Sequence, residues 1–541
     1  MSYKKLGKII LIIGVIIVGV LTFAVYQVEK RTSYDKYHPD TSGKTVSIIL
    51  IDGLSQEIFQ EAIAKGDLPN LSQLISESTF INNGIGAFPS VTGYAYYPFI
   101  TGVDASESGI LGLRWFDRSR DIGNLRNYVG RSNVYMNQEI HDSIKTIFEL
   151  SGDSYTASVN SILNRGVDDS QMTSWIHVTA KFEGKSIFGP IRSIPIAGKK
   201  LTKDHFEHET EVIRIAKEQL IENPKAQWIS LPSPDAYHHV SGLTDTYHQL
   251  LNHIDQLIGE LRNTIDSLGQ SDTRMIAIVT DHGISNVYNN IDVQKSMMAS
   301  HGLDLVRGNS VNYQKMVLDE PMADFIEKDG YWVINGNLSY YLYLRDPNKT
   351  GEDSWRSNLK YEDLIDYKKG ENHINIPEAF ANQEGIELVI YRKNDSTIVV
   401  QNQEGLAEIT ERGQFFKYNA TSANPLEYDL DILQDTFLTK DEWIELTHED
   451  KFPDAIYRLT SLMKAPNISD LVLTSLKGYD LAKDYEVIVG DYKGGHGGLR
   501  GEQLRVPYII YQPQASGKLL KYARAEDVGQ MIIGWLGFDN N

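Results

Sequence analysis

The heptad of residues Thr45-Val46-Ser47-Ile48-Ile49-Leu50-Ile51 carries apolar side chains at both odd and even positions, so neither pleat face suits water. A strand of that kind is covered on both sides, as in a parallel sheet with helices packed on each face. Gln227-Trp228-Ile229-Ser230-Leu231 and Met275-Ile276-Ala277-Ile278-Val279-Thr280 repeat the pattern. Between them Leu250, Ile254, Leu257, Ile258, Leu261 and Ile265 recur at helical spacing and mark the buried stripe of an amphipathic helix. The expected fold is α/β: a central, mostly parallel β-sheet with helices on both faces. Residues 331–345 and 386–420 alternate instead, and Glu387 to Gln401 reads as a hairpin turning at Asn394-Asp395. They form an antiparallel β-containing insertion at about 305–450 within a domain spanning 44–541. From Pro453 the pattern returns to α/β through Asp470-Leu471-Val472-Leu473, and Val506 to Tyr511 supplies a late strand. Residues 120–225 read as short helices and polar loops.

The strands end in chemistry. In open α/β sheets, ligands bind just beyond the carboxyl ends of the strands. Asp52-Gly53 follows the first strand, Pro234-Asp235-Ala236-Tyr237-His238-His239 the second, and Asp281-His282-Gly283 the third. Two further segments are loops by their Pro and Gly content: Phe88-Pro89-Ser90-Val91-Thr92-Gly93 and Gly494-Gly495-His496-Gly497-Gly498. Asp52, Thr92, Asp235, His239, Asp281, His282 and His496 make three carboxylates, three imidazoles and one hydroxyl, enough for two metal ions with open positions left. Taken singly each has a plain reading: a turn, a capping hydroxyl, a solvated loop histidine. His238 reads as structural, and Trp115 and Phe116 as core. The chain has no cysteine, which excludes disulfides, thiolate zinc sites and thiol catalysis. Its formal net charge of −20 lacks the basic footprint of a nucleic-acid binder.

Residues Ile9 to Tyr26 carry no charge and follow Lys4, Lys5 and Lys8. A bilayer needs about 20 apolar residues, whereas the apolar region of a cleaved signal peptide is about 7–15 long. The expectation is a single-pass signal anchor over residues 1–26, a tether over 27–43, and a body outside the cell membrane, oriented by the lysines.

Together these segments resemble the alkaline phosphatase superfamily and, within it, the nucleotide pyrophosphatase/phosphodiesterase (type I phosphodiesterase) branch. The resemblance rests on residues 45–118, 227–285 and 453–511, and includes Thr101-Gly102 and Ser108-Gly109-Ile110. It implies one metal held by Asp235, His239 and His496, and a second held by Asp52, Asp281, His282 and the nucleophile Thr92. It further implies two divalent ions, zinc by ligand type with manganese as the other candidate, and a phosphate-ester substrate such as a nucleotide. The implied activity is cleavage of phosphodiester or phosphoanhydride bonds through a phospho-threonine. A phosphomonoesterase or phospho-group transferase of the same fold, and a non-catalytic surface protein that retains it, are the alternatives. Ala95, three residues after Thr92, offers a phosphate no side-chain contact, so such contacts are expected from Tyr94 or backbone N–H groups.

Overall fold

The computed structural model describes residues 43–119, 125–128, 136–173, 181–182, 185–186, 204–307, 326–481, 492–515 and 517–538. The anchor and tether expected over 1–43 lie, but for residue 43, outside the described residues. Among the described residues no helix is long and apolar enough to cross a membrane.

The first strand, Thr45–Ile51, is buried along its whole length. It runs parallel to Arg274–Val279 on one side and to Ala226–Leu231 on the other. The eight-stranded order is Lys518–Arg524, Thr79–Ile85, Arg505–Tyr511, Arg274–Val279, Thr45–Ile51, Ala226–Leu231, Thr156–Val159 and Asp169–Gln171. Arg505–Tyr511 alone runs against the rest of this sheet. Because successive side chains of a strand point to opposite faces, Val46, Ile48 and Leu50 enter one core and Ile49 and Ile51 another. Helices Gln56–Lys65, Pro69–Ser76, His205–Ile221 and Asp245–Ser267 cover the second face, and Ala525–Leu536 lies on the first. The stripe from Leu250 to Ile265 is core, as its spacing implies.

A second sheet of nine strands stands beside the first. All its pairings are antiparallel except that of Leu305–Arg307 with Gly330–Asn335. The hairpin of Ile386–Asn394 and Thr397–Asn402 turns where its alternation places the turn. Leu471–Ser475 corrects the sequence reading: it pairs with Ser339–Leu344 and Ile386–Asn394 at the middle of the second sheet. A short, fully buried apolar run has the same pattern in either sheet, and only the pairing decides. Residues 120–225 also hold more order than expected, with the 17-residue helix His205–Ile221 and the two outer strands Thr156–Val159 and Asp169–Gln171. Helix and strand there are half polar in sequence, which masks both periods. Tyr331, Val333, Tyr341 and Tyr343 from the second sheet share a core with Val46, Ile48 and Leu50 from the first and with Phe88, Val91 and Trp115. Trp115 and Phe116 are buried core, as read.

Candidate metal centre

Each candidate residue arrives on its own element. Asp52 and Asp281 stand one residue and two residues past the ends of the paired strands Thr45–Ile51 and Arg274–Val279. Asp235 and His239 lie one turn apart on helix Ser233–Ser241. Thr92 precedes the short helical segment Tyr94–Thr101, and His496 follows the bridge strand Gly494–Gly495. Gly53 makes the approach of Asp52 and Asp235 feasible: its φ is +73°, and a Cβ there would sit 2.8 Å from the Asp235 Cβ.

The structure brings all seven together as two trios and a hydroxyl. In Asp52, Asp281 and His282 the ligand atoms lie within 4.8 Å of one another, and the same holds for Asp235, His239 and His496. The His282 and His496 rings stack at 3.8 Å and 9°, joining the trios. Thr92 Oγ1 is 3.1 Å from His282 Nε2. His238 is buried against Asn286 and belongs to neither trio.

The histidine tautomers follow from their partners. A carbonyl oxygen can only accept, so each ring nitrogen facing one carries the proton. His239 Nδ1 donates to Gly494 O at 2.8 Å, His282 Nδ1 to Gly283 O at 3.1 Å, and His496 Nδ1 to Ser90 O at 2.9 Å. All three rings therefore turn Nε2 toward carboxylates, and in the neutral form that nitrogen offers a lone pair. His282 Nε2 is 3.2 Å from Asp281 Oδ2 and 3.5 Å from Asp52 Oδ1. His239 Nε2 is 3.3 Å from Asp235 Oδ2, and His496 Nε2 is 3.8 Å from Asp235 Oδ1. Acceptors face acceptors. Asp52 Oδ1, Asp235 Oδ1 and both Asp281 oxygens are buried without a hydrogen-bond donor. Only protons or cations reconcile such a cluster, and backbone-anchored imidazole is the arrangement found at metal-ligating histidines. Imidazole and carboxylate donors without sulfur fit zinc.

The ionisation pattern agrees. Burial, then the charges of Asp281 and Asp235, raises the Asp52 carboxyl well above its ordinary value. Burial also pushes Asp281 up, to about 6, against the pull of His282. Burial pushes His282 and His496 down to about 4, which keeps both neutral. Asp235 differs: burial opposes its charge, but His239 and His496 outweigh it and hold the carboxyl below its ordinary value. His239 rises in return, Asp235 overcoming the effect of its own burial. Perturbations of this kind concentrate at functional sites.

Four supporting residues were not apparent in sequence. Tyr96 Oη donates to Asp52 Oδ2 at 3.2 Å, and its ring packs on Trp228 at 5.1 Å. Ser90, besides receiving His496, donates its hydroxyl to Gly498 O at 2.9 Å. Glu209, fully buried, accepts from Ser233 N at 2.7 Å and so fixes the start of the helix that carries Asp235. Asn337 reaches the site from the second sheet and is taken up below. Ser90 and Tyr96, two residues before Thr92 and four after it, have a local signal; the others have none. Tyr94 corrects an expectation: it is buried beside Asp104 and Arg458, whose charges act on its phenol, so it offers substrate no hydroxyl. Ala95 is buried.

Comparison with known proteins follows the same line. Human ectonucleotide pyrophosphatase/phosphodiesterase 5 superposes with a TM-score of 0.50 at 10% identity, over 92% of this chain and 96% of that one. Its murine counterpart gives a TM-score of 0.50 at 11% identity, over 92% and 96%. At such identities the likeness concerns the fold. No curated protein matches the chain. The family model described as type I phosphodiesterase / nucleotide pyrophosphatase matches residues 46–372. On that match the chain belongs to the type I phosphodiesterase / nucleotide pyrophosphatase family.

Proposed function

We propose that the protein is a two-metal phosphohydrolase that cleaves phosphodiester or phosphoanhydride bonds, with Thr92 as nucleophile. The observation that carries this reading is the set of three histidines, each donating its Nδ1 proton to a backbone carbonyl and turned by Nε2 toward buried carboxylates with oxygens that lack donors. Asp235, His239 and His496 would hold one divalent ion, and Asp52, Asp281, His282 and Thr92 the other. When bound, two such ions supply positive charge that acidifies a hydroxyl and stabilises the attacking and leaving oxygens of an in-line displacement.

The chain's own groups do the rest. Thr92 Oγ1, half-buried and beside His282, attacks phosphorus while its proton passes to solvent; the bond from phosphorus to the leaving oxygen breaks, and that oxygen takes up a proton from solvent. The product is a phospho-threonine, which water then hydrolyses to free phosphate or phosphomonoester and the original hydroxyl. Asp52, held by the Tyr96 hydroxyl, keeps its orientation through both steps. Three carboxylates against two divalent cations leave one positive charge, which suits an anionic substrate. The Ile9–Tyr26 run motivates the remaining part of the proposal, an anchor in the cell membrane with the catalytic body outside. The partner implied is a small phosphate ester such as a nucleotide.

Purified protein should turn over bis-p-nitrophenyl phosphate faster than p-nitrophenyl phosphate in zinc or manganese, and neither in chelator. The reverse preference would make it a monoesterase of the same fold. Turnover of neither compound under metal loading would leave a non-catalytic surface protein.

A further inference from the structure

The second sheet has a place in the centre. Its hairpin of strands Gly330–Asn335 and Ser339–Leu344 turns through Gly336-Asn337-Leu338, with Asn337 and Leu338 buried and Gly336 half-buried. Connecting segments ordinarily run over the surface. Here the tip is inserted against the glycine segment that carries His496. Gly336 has φ +55°, and a Cβ on it would lie 2.7 Å from His496 O and 2.9 Å from His496 Nδ1. Leu338 N donates to His496 O at 3.0 Å.

Asn337 makes the central contacts. Its Oδ1 accepts from His496 N at 3.3 Å. Its Nδ2 donates to Gly494 O at 3.4 Å and to Asp480 Oδ2 at 3.3 Å. Gly494 O is the same carbonyl that receives His239 Nδ1. One amide thus braces the backbone of one histidine and the orienting carbonyl of another, and both histidines belong to the trio with Asp235. The trio of Asp52, Asp281 and His282 stands at the ends of main-sheet strands, whereas the hydrogen bonds of the Asn337 side chain go to Gly494, Asp480 and His496.

We infer that Asn337 is a positioning residue that couples the second sheet to one metal site, that of Asp235, His239 and His496, and not to the other. This inference rests on the metal reading proposed above. Loss of the amide frees the Gly494–Gly497 segment and with it the Nε2 directions of His239 and His496. Outer partners of metal ligands typically set roughly 10–100-fold in affinity. Asn337→Asp keeps the acceptor toward His496 N but turns oxygens toward Gly494 O and the Asp480 carboxylate, so it should weaken that site at least as much as Asn337→Ala.

The test is zinc titration of the full chain against a competing chelator, beside thermal melting. Wild type should bind two ions. Asn337→Ala should weaken one by roughly 10–100-fold and leave the other unchanged. In a His496→Ala background, which has already lost that site, Asn337→Ala should not alter the remaining ion, because effects through a shared partner do not add. Val399→Ala, a buried position three strands away in the same sheet, serves as the control for general destabilisation. It should lower melting temperature while both affinities hold. Asn337→Ala with two wild-type affinities, or with both weakened alike, overturns the inference while the metal reading stands. Wild type that takes up no zinc or manganese overturns both.

Discussion

Asp281→Asn should stabilise the metal-free protein and destabilise the metal-loaded one. Asp281 is fully buried, both its oxygens lack a hydrogen-bond donor, and its carboxyl is pushed by burial from 3.8 to about 6. A folded value above the unfolded one means that ionisation opposes folding. The cost is absent below about pH 4 and complete above about pH 6. Two pKa units correspond to about 3 kcal/mol. The amide removes the charge at constant shape. It also relieves Asp52, which Asp281 repels, and can donate to the His282 Nε2 lone pair 3.2 Å away. Urea unfolding in chelator at pH 8 should therefore give the variant a higher midpoint, with the advantage fading as pH falls toward 4. In saturating zinc the order should reverse. Wild type gains about 4 kcal/mol per site at a thousandfold excess over Kd, whereas the variant has lost one anionic ligand. A metal-free variant less stable than wild type at pH 8 would refute the reasoning, since it would mean that donors or protons already satisfy this carboxylate.

Thr92→Ala should lose turnover by on the order of 10³-fold or more, while Thr92→Ser keeps part of it; acid trapping followed by peptide mass analysis should find phosphate on Thr92. Near wild-type turnover by the alanine variant would replace the covalent path with direct attack by water. Zinc uptake by chelator-stripped protein near pH 6 should release protons, because His239 and the Asp52 and Asp281 pair are shifted upward and hold them. Affinity should accordingly fall from pH 8 to pH 5, while His282 and His496, near 4, contribute nothing to that slope; unbuffered titration with a pH electrode measures it. Arg458, buried among Asp104, Asp454 and Glu526, should cost about 3–5 kcal/mol when replaced by Met, since three carboxylates lose their common counter-charge; chemical unfolding reads this directly. Cell fractionation should place the protein with membranes, its body open to protease added to intact cells; a soluble mature form beginning near residue 27 would show cleavage instead.

What sequence made legible was local. Thr45–Ile51 shows its double burial in seven letters, and Asp52, Asp235, Asp281 and His282 stand where strand ends place ligands. Thr92 and His496 lie in loops whose glycine and proline mark them as irregular, but only the family pattern assigned them to trios. The rest depends on pairing over long separations. Leu471–Ser475 carries no mark of which sheet it joins. Glu209 sits on a helix whose stripe is interrupted by buried His205, His208 and Gln219, so its period was obscured. Tyr94 and Tyr96 look alike in sequence, yet in this short helical segment one phenol meets Asp52 and the other the Arg458 cluster. Asn337 is bonded to residues 143, 157 and 159 positions away, a relation that no window along the chain contains.

The two trios are also built to different degrees of rigidity. Asp52, Asp281 and His282 follow adjacent parallel strands whose ladder fixes them, and the conflict among their charges is correspondingly hard to relax. Burial then raises the carboxyls of Asp52 and Asp281 above their ordinary values. Asp235, His239 and His496 come from a helix and a glycine segment, held by Glu209 at one end and by the Asn337 turn at the other. There the mutual attraction of Asp235 and His239 already settles the charge, one carboxyl lowered and one imidazole raised. A divalent cation at the first trio would displace protons from carboxylates, whereas at the second it would displace a proton from an imidazole. The same fold would thus offer two cations chemically different receptions, and Thr92, the proposed nucleophile, stands beside the trio whose carboxylates most need a positive charge.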